Sequence, residues 1–592
     1  MNKYETLVKV LDYLRASAES NQDLYFPELG KVDIENARSR ALIQFFLKSN
    51  FGITSFSERE KLITDGPQDG GLDAYYFDDR NKKVFFIQSK FRNNPKNYEK
   101  SEIKNEEIWK IDLERIVKGE TTYINGKKYN KSVLDFQKEF TKRKLGKDTY
   151  ENVVLIVANV TDSQKKYVIQ KHFPKKWKVQ VFNYIEVYNQ LLFPYITESF
   201  FNEEKLCIEI SLPHEKKEPM EYEVSTQHGN CLMRVLFVPT QEIGRIFYNY
   251  KNSILKHNPR GFLGMKKEGI NQDIEDSILN KKSNDFVLLN NGITMLSTCA
   301  EFDGEIGKKG FGQIFITNPQ IINGGQTSFT LGEIYERVLK GELKKNIFDG
   351  KEVLLKIIVQ SDMNKYNKIT SDVSLSTNSQ QPINEGDLKS NHISQVDIQK
   401  YLYDSYGLFY ERKRGEFFSS IKNSYIKKED VVDRNNFIKT AYSSNFPNVT
   451  KNPKNMSERI IFSDPIFNTI TNEKDYKKFA MGYLVFREVQ KLKRQARKPV
   501  NDWFFSRYGY ALRYGDVAVT MISTYTLSKT DWKKPDIVPE ILKTLDNWKK
   551  FEKKSFSKKE NVKYFNKKLK EQNPIGYYKS DNLITDLIDY FT

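Results

Sequence analysis

The chain has 592 residues, more than one hydrophobic core normally holds, so several domains are expected. Its formal net charge is +18 with a pI near 9.2, a balance that points to a polyanionic partner such as nucleic acid. Cys207, Cys231 and Cys299 lie far apart with no C-x-x-C pair, and the five histidines are scattered, which argues against a disulfide framework, a zinc site or a His-rich metal site.

The first predicted elements, over residues 1–50, are helical. MNKYETLVKVLDYLRAS has an amphipathic helix pattern of mixed charge and lacks the apolar stretch of a signal peptide. No run of about 18 apolar residues occurs, so no membrane span is expected and the location is read as cytoplasmic. VDIENARSRALIQFFLKSNFG places Ala41, Phe45 and Phe46 on one helix face and stops at Gly52. A strand is expected at 53–57 and a hairpin at 72–91. Residues 97–146 read as mostly helical with a turn at Asn125-Gly126. ENVVLIVANV, 151–160, is a buried strand, and KKWKVQVFNYIEVYNQLL gives a strand and then a helix. This order describes an α/β domain over 1–205.

A linker is expected over 206–225, around the charged, Pro-containing stretch 212–222. A second α/β domain spans 226–425, with strands at 286–297, 312–323 and 352–360 and a helix at 327–340. Residues 426–592 read as mainly helical. WKKFEKKSFSKKENVKYFNKKLKEQ, near the end, alternates lysines and aromatics. A surface helix with inward aromatics is favoured there over a base-stacking face, and KLKRQARK at 491–498 carries the same two readings. The fold class is therefore α/β and multidomain, with a mainly helical C-terminal region.

GLDAYYFDDRNKKVFFIQSKF, 71–91, reads as a hairpin whose strands meet on an acid, an amide and an amine. A turn at Arg80–Lys83 sets Asp79 opposite Val84 and Asp73 opposite Lys90. Strand alternation puts Gln88 and Lys90 on one face beside Phe86. Opposed Cβ atoms lie within about 5 Å, so Asp73, Gln88 and Lys90 converge. A carboxylate and an amide oxygen suit Mg²⁺ or Mn²⁺, and a lysine can position water or stabilise a pentavalent phosphorus. The candidate for a second carboxylate is Glu35 on the preceding helix, with Glu58 as the alternative.

GGLDAYY followed by FFIQSKF resembles the PD-(D/E)XK nuclease core, in the D…QxK form of Mrr-type restriction endonucleases, over roughly residues 30–195. The resemblance implies a restriction-endonuclease-like αβ core, a DNA substrate (RNA being the alternative) and a homodimer, since cutting two strands takes two sites. It makes Asp73 the metal-binding acid and Lys90 the catalytic lysine. Gln88 stands where the family usually has a second acid, which removes a charge.

NPQIINGGQTSFTLGEIYERVLK sets Asn323, Gly324, Gly325, Gln326 and Thr327 between a strand and a helix. Glycines admit close backbone approach, Thr327 or Ser328 can cap the helix, and its free N–H groups suit an anion or phosphate. HNPRGFLG (257–264), LLNNGITML (288–296) and STNSQQPI (376–383) add further amides beside apolar runs, and buried amides need partners. With PQIINGGQT and FYERKRGEF (409–417), these motifs resemble the AIPR (abortive infection phage resistance) family over roughly 225–500, which implies a prokaryotic anti-phage role. A looser similarity to ParB/sulfiredoxin-like and DGQHR proteins implies a nucleotide ligand, with Arg260, Asn291, Gln326 and Asn378 as residues to test, although Gln326-Thr327 replaces their His-Arg. The leading expectation is a metal-dependent DNA endonuclease regulated by an AIPR domain, and a further reading is activation by a nucleotide through the Gly324–Gly325 loop or by a phage-derived trigger. The rival is a non-cleaving module that binds nucleic acid or senses a nucleotide.

Overall fold

A computed structural model describes residues 3–79, 81–123, 125–145, 150–200, 205–211, 219–258, 270–280, 283–304, 311–362, 364–366, 368–369, 384–496, 507–564 and 574–592. The chain forms two compact units: Met1–Ser374 with Phe417–Lys428, and Leu375–Glu416 with Glu429–Thr592. The architecture is α/β and multidomain.

The first unit opens with α1 (Lys3–Ala16), α2 (Ile34–Phe51) and α3 (Phe56–Lys61). Asp33 caps α2 by accepting from Asn36 N, and Gly52, the stop read from the sequence, ends it in the left-handed region. No strand forms at 53–57: residues 53–55 lead into α3, which begins at Phe56. Ser55 Oγ accepts from Glu58 N, the S-x-x-E signature of a helix start, and this overrides the β-branched pair Ile53-Thr54.

β1 (Ala74–Asp78), β2 (Lys83–Ser89), β3 (Glu151–Val157) and β4 (Lys178–Phe182) form one sheet in the order β1-β2-β3-β4. The first pair is antiparallel and the other two are parallel. Helix α4 (Lys131–Leu145) covers one face, where Phe136 meets Tyr75, Phe77 and Phe86. Helix α2 covers the other, with Phe46 against Phe182 and Phe51 against Tyr76 and Phe85. The sheet is thus packed on both faces, as sheets with parallel strands require.

The hairpin register differs from expectation by two residues: Ala74 faces Ile87 and Asp78 faces Lys83. The cause is local. Asp78 accepts from Asn81 N and Asn81 Nδ2, and Lys82 takes φ of 51°, so the turn begins one residue earlier. A slip of two keeps every side chain on its face.

Residues 205–359 add β5 (Lys205–Ser211), β6 (Met220–Thr226), β7 (Gly229–Pro239), β8 (Ile293–Ser297), β9 (Cys299–Asp303), β10 (Phe311–Thr317), β11 (Gln320–Asn323) and β12 (Glu352–Val359). They build two sheets, β5-β10-β9 and β11-β8-β12-β7-β6, around a shared aliphatic core. The strand expected at 286–297 is a short helix, Phe286–Leu289, followed by β8, with Gly292 at φ of 79° between them. The strand expected at 312–323 divides at Asn318, φ 51°, and its halves join different sheets. Helix α5 (Gly325–Leu339) starts two residues before the expected 327. Segment Phe417–Lys428 belongs to this unit: Ser420 Oγ donates to Ile196 O, and the Tyr425 ring lies 5.2 Å from Tyr13 and 5.9 Å from Tyr195.

The second unit is mainly helical. Helices α6 (Arg434–Ser443), α7 (Tyr476–Ala496), α8 (Asp516–Ser528) and α9 (Ile537–Phe556) surround one core that includes Trp548 and Phe551. Trp548 and Phe551 are fully buried while Lys549, Lys550, Lys553 and Lys554 are exposed, so over α9 the aromatics pack inward. The rest of the basic stretch, 565–572, lies outside the described residues, as do the last two residues of KLKRQARK, whose first six form the end of α7.

Candidate active site

Asp73 precedes β1, Gln88 and Ser89 end β2, and Lys90 follows it, beside the carboxyl end of the parallel strand β3. Asp73 N donates to Ile87 O, and Lys90 N donates to Val157 O at 2.9 Å. These bonds fix Asp73 and Lys90 at one end of the strands. Asp73, Gln88, Lys90 and Glu35 all line one cleft of about 850 Å³. Arg92, Lys110, Glu107 and Asp112 form further parts of its wall.

The loop DGPQDGG brings in two acids that sequence reasoning passed over. Thr64 N and Asp65 N both donate to Asp73 O, which folds the loop back onto the start of β1. Gly70 and Gly71 take φ of 68° and 74°, and a Cβ at Gly71 would lie 3.0 Å from Ile111 Cα. Only glycine turns the chain there without strain. Carboxylate oxygens of Asp65, Asp69 and Asp73 consequently lie within 4.8 Å of one another. Glu35, the expected second carboxylate, is exposed on the first turn of α2 and stays on the cleft wall outside this group. Glu58 is exposed on α3 and does not line the cleft.

The three acids differ in what they already bind. Asp69 accepts from Gly71 N at 2.8 Å and Gly66 N at 3.1 Å, one bond per oxygen, so it staples its own loop. Asp73 Oδ2 accepts from Ser89 N at 2.6 Å, which leaves Oδ1 outside that bond. Asp65 has Arg40 Nη1 3.6 Å from its Oδ2. Burial, with Asp65 and Asp69 alongside, pushes the Asp73 carboxyl well above the usual range, against the pull of Ser89 N–H and Lys90. Burial also raises Asp65, opposed by Arg40, and raises Asp69, opposed by the Gly71 and Gly66 amides.

Gln88 is 4 % exposed and its Oε1 has no hydrogen-bond partner among the described residues. A buried acceptor left unpaired costs about 1–3 kcal/mol. An all-oxygen donor set of crowded carboxylates and an orphaned amide oxygen fits a hard divalent cation, Mg²⁺ or Mn²⁺, which would relieve both the repulsion and the orphan.

The glycine loop has a different character. Gly324, at φ 84°, is the N-cap of α5, so Thr327 and Ser328 are not caps but buried first-turn residues. Ser328 Oγ donates to Gly324 O, Asn290 Nδ2 donates to Thr327 Oγ1, and Asn323 Oδ1 accepts from Gly324 N. Asn258 Nδ2 donates to Ile322 O, and Asn290 Oδ1 accepts from Gly292 N. A Cβ at Gly324 would lie 2.9 Å from Gly292 O. The NNG and NGG motifs therefore pack against each other, and most of these amides hold the loop itself. Gln326 is half-buried at its start, and Asn291 lies beside Asn290 in the opposing loop. Arg260 and Asn378 lie outside the described residues.

No helix among the described residues is long and apolar enough to cross a membrane. No curated protein and no solved structure matches the chain. A family model described as AIPR protein matches residues 255–579 and takes in the NNG and NGG motifs as well as FYERKRGEF. That match covers more than half of the sequence, so the chain belongs to the AIPR family, with the role in abortive infection and anti-phage defence that the family carries.

Proposed function

We propose that the N-terminal part of the chain is a PD-(D/E)XK-type endonuclease that hydrolyses DNA phosphodiesters with Mg²⁺ or Mn²⁺, and that the AIPR region regulates it in anti-phage defence. The observation that carries the reading is one cleft holding buried Asp73, crowded by Asp65, together with the orphaned Gln88 Oε1 and Lys90. Asp73, Asp65 and Gln88 would hold the cation. Asp65 supplies the negative charge that Gln88 lacks. A bound divalent cation neutralises phosphate charge and lowers the pKa of a coordinated water. Lys90, just after β2 on the same cleft, would hold the attacking water or donate to a phosphate oxygen as charge builds there. Arg92 and Lys110 on the cleft wall suit flanking phosphates. Glu35, at the cleft wall, is the acid placed to take a proton from outside the cluster.

The test is metal-dependent cleavage of plasmid, linear and modified DNA, with RNA alongside. Wild type cuts with Mg²⁺ or Mn²⁺, and Lys90→Ala loses at least about 100-fold in rate, the scale of losing one transition-state donor. Equal cutting by variant and wild type refutes the site. Salt-sensitive binding with no cleavage under either metal supports the binding-module reading instead.

A further inference from the structure

Beneath the cleft lies a buried polar chain that leads to Asp65. Arg40, on α2, is 7 % exposed. Its Nη2 donates to Glu60 Oε1 at 2.6 Å, and its Nη1 donates to Asp65 O at 3.2 Å with Asp65 Oδ2 3.6 Å away. Glu60 is in turn held by Gln44 Nε2 at 2.7 Å, Asn21 Nδ2 at 2.9 Å and the Tyr25 hydroxyl. Gln44 Oε1 accepts from Arg59 Nε at 2.6 Å, and Arg59 Nη1 donates to Ile53 O and Thr54 O. The guanidinium also lies over the Tyr25 ring, 5.6 Å from its centroid.

Each bond in this chain has a physical consequence for Asp65. A guanidinium is a rigid planar fork, so gripping one arm on Glu60 fixes where the other arm points. Glu60 cannot shift, because three further donors hold it. Asp65 sits on an irregular loop without a helix or strand to set its carboxylate, and Arg40 reaches both its backbone oxygen and its side chain. Arg40 lies outside the cleft lining, so it does not meet a substrate there.

We propose that Arg40 is a positioning residue for the cation site, and that Glu60 holds it so that Asp65 presents its carboxylate beside Asp73 and Gln88. This rests on the reading of the cleft as a divalent-cation site. Residues that orient metal ligands typically cost about 10–100-fold in metal affinity when lost. The conservative change Arg40→Lys keeps a cation for Glu60 but removes the fork, and so isolates geometry from charge.

The test is titration of the full chain with Mn²⁺ alone, followed by calorimetry or electron paramagnetic resonance, with the melting temperature of each metal-free protein measured in parallel. Wild type binds. Arg40→Lys binds about tenfold more weakly or worse. In an Asp65→Asn background the same change has no further effect, because the two residues act through one contact. Glu60→Gln weakens binding in the same direction and carries the test if Arg40→Lys does not fold. A variant with a lowered melting temperature but wild-type Mn²⁺ affinity overturns the proposal, since a purely structural role predicts that result. Additive losses from Arg40→Lys and Asp65→Asn overturn it too. A wild-type chain that binds no Mn²⁺ overturns the cation site itself, and the positioning role with it.

Discussion

Gln88 shows how one amide can set the charge of a whole cluster. Three carboxylates already crowd the site, and a fourth would raise the repulsion further. Gln88→Glu therefore lowers the melting temperature of metal-free protein and tightens Mn²⁺ binding by about tenfold, since ligand charge tunes affinity. Scanning calorimetry with and without Mn²⁺ reads both effects. Asp69 and Asp65 separate in the opposite sense. Asp69→Asn leaves an amide of Gly66 or Gly71 unpaired and costs about 1–2 kcal/mol of stability, while Mn²⁺ affinity stays within a few-fold. Asp65→Asn spares stability and weakens Mn²⁺ binding by about tenfold while leaving it measurable. Asp73, Gln88 and Lys90 come to one cleft as read from the sequence because the register error was an even slip, which keeps each residue on its face. Asp65 and Asp69 were not, because an irregular loop has no period. The signal present in the sequence was the spacing D-x₃-D-x₃-D around paired glycines, which lets a short loop return to its own start.

Among the elements, helix starts were read less well than helix bodies. The body of α2 and its Gly52 stop follow from periodicity and a left-handed cap. At 53–57 a β-branched pair masked the Ser55-x-x-Glu58 start of α3, and at 286–289 an apolar run that suits a strand forms a turn of helix instead. In the second case Gly292, at positive φ with a would-be Cβ 2.8 Å from Leu354 O, marks where the chain turns into β8, a position only glycine fits without strain. Gly324 and Gly292 together define how β8 meets α5. Gly324→Ala adds a Cβ at positive φ and against Gly292 O, and costs about 1–3 kcal/mol before any clash is relieved. Urea unfolding of the full chain reads this as a lowered midpoint for the first unit's transition.

For the whole molecule, two units with separate cores predict two unfolding transitions with their own pH dependence. In the second unit Glu552 is buried, accepting from the Tyr578 hydroxyl at 2.6 Å and Tyr510 N at 2.8 Å. Burial pushes its carboxyl up from 4.5 to about 7. The folded chain thus keeps this proton over a range where the unfolded chain has released it. Stability from this group is full at and below the ordinary Glu range and is lost as pH rises through about 7, by at most about 1.4 kcal/mol per pH unit. Glu552→Gln flattens that slope in the second unit's transition and leaves the other unchanged, which calorimetry between pH 5 and 8 would read, a span on either side of the shifted value of about 7. Had the slope survived the substitution, another group would be its source.

The path of the chain has a genetic corollary. It passes from one unit to the other after Ser374, returns at Phe417 and leaves again after Lys428. A premature stop before residue 417 would leave every acid of the cleft encoded, yet strip away the Tyr425 ring that packs on Tyr13 and Tyr195 and the Ser420 tether to Ile196. Nonsense and frameshift alleles in the middle of the gene would thus encode the cleft residues without the segment that completes their unit, so an early truncation does not release an intact first lobe.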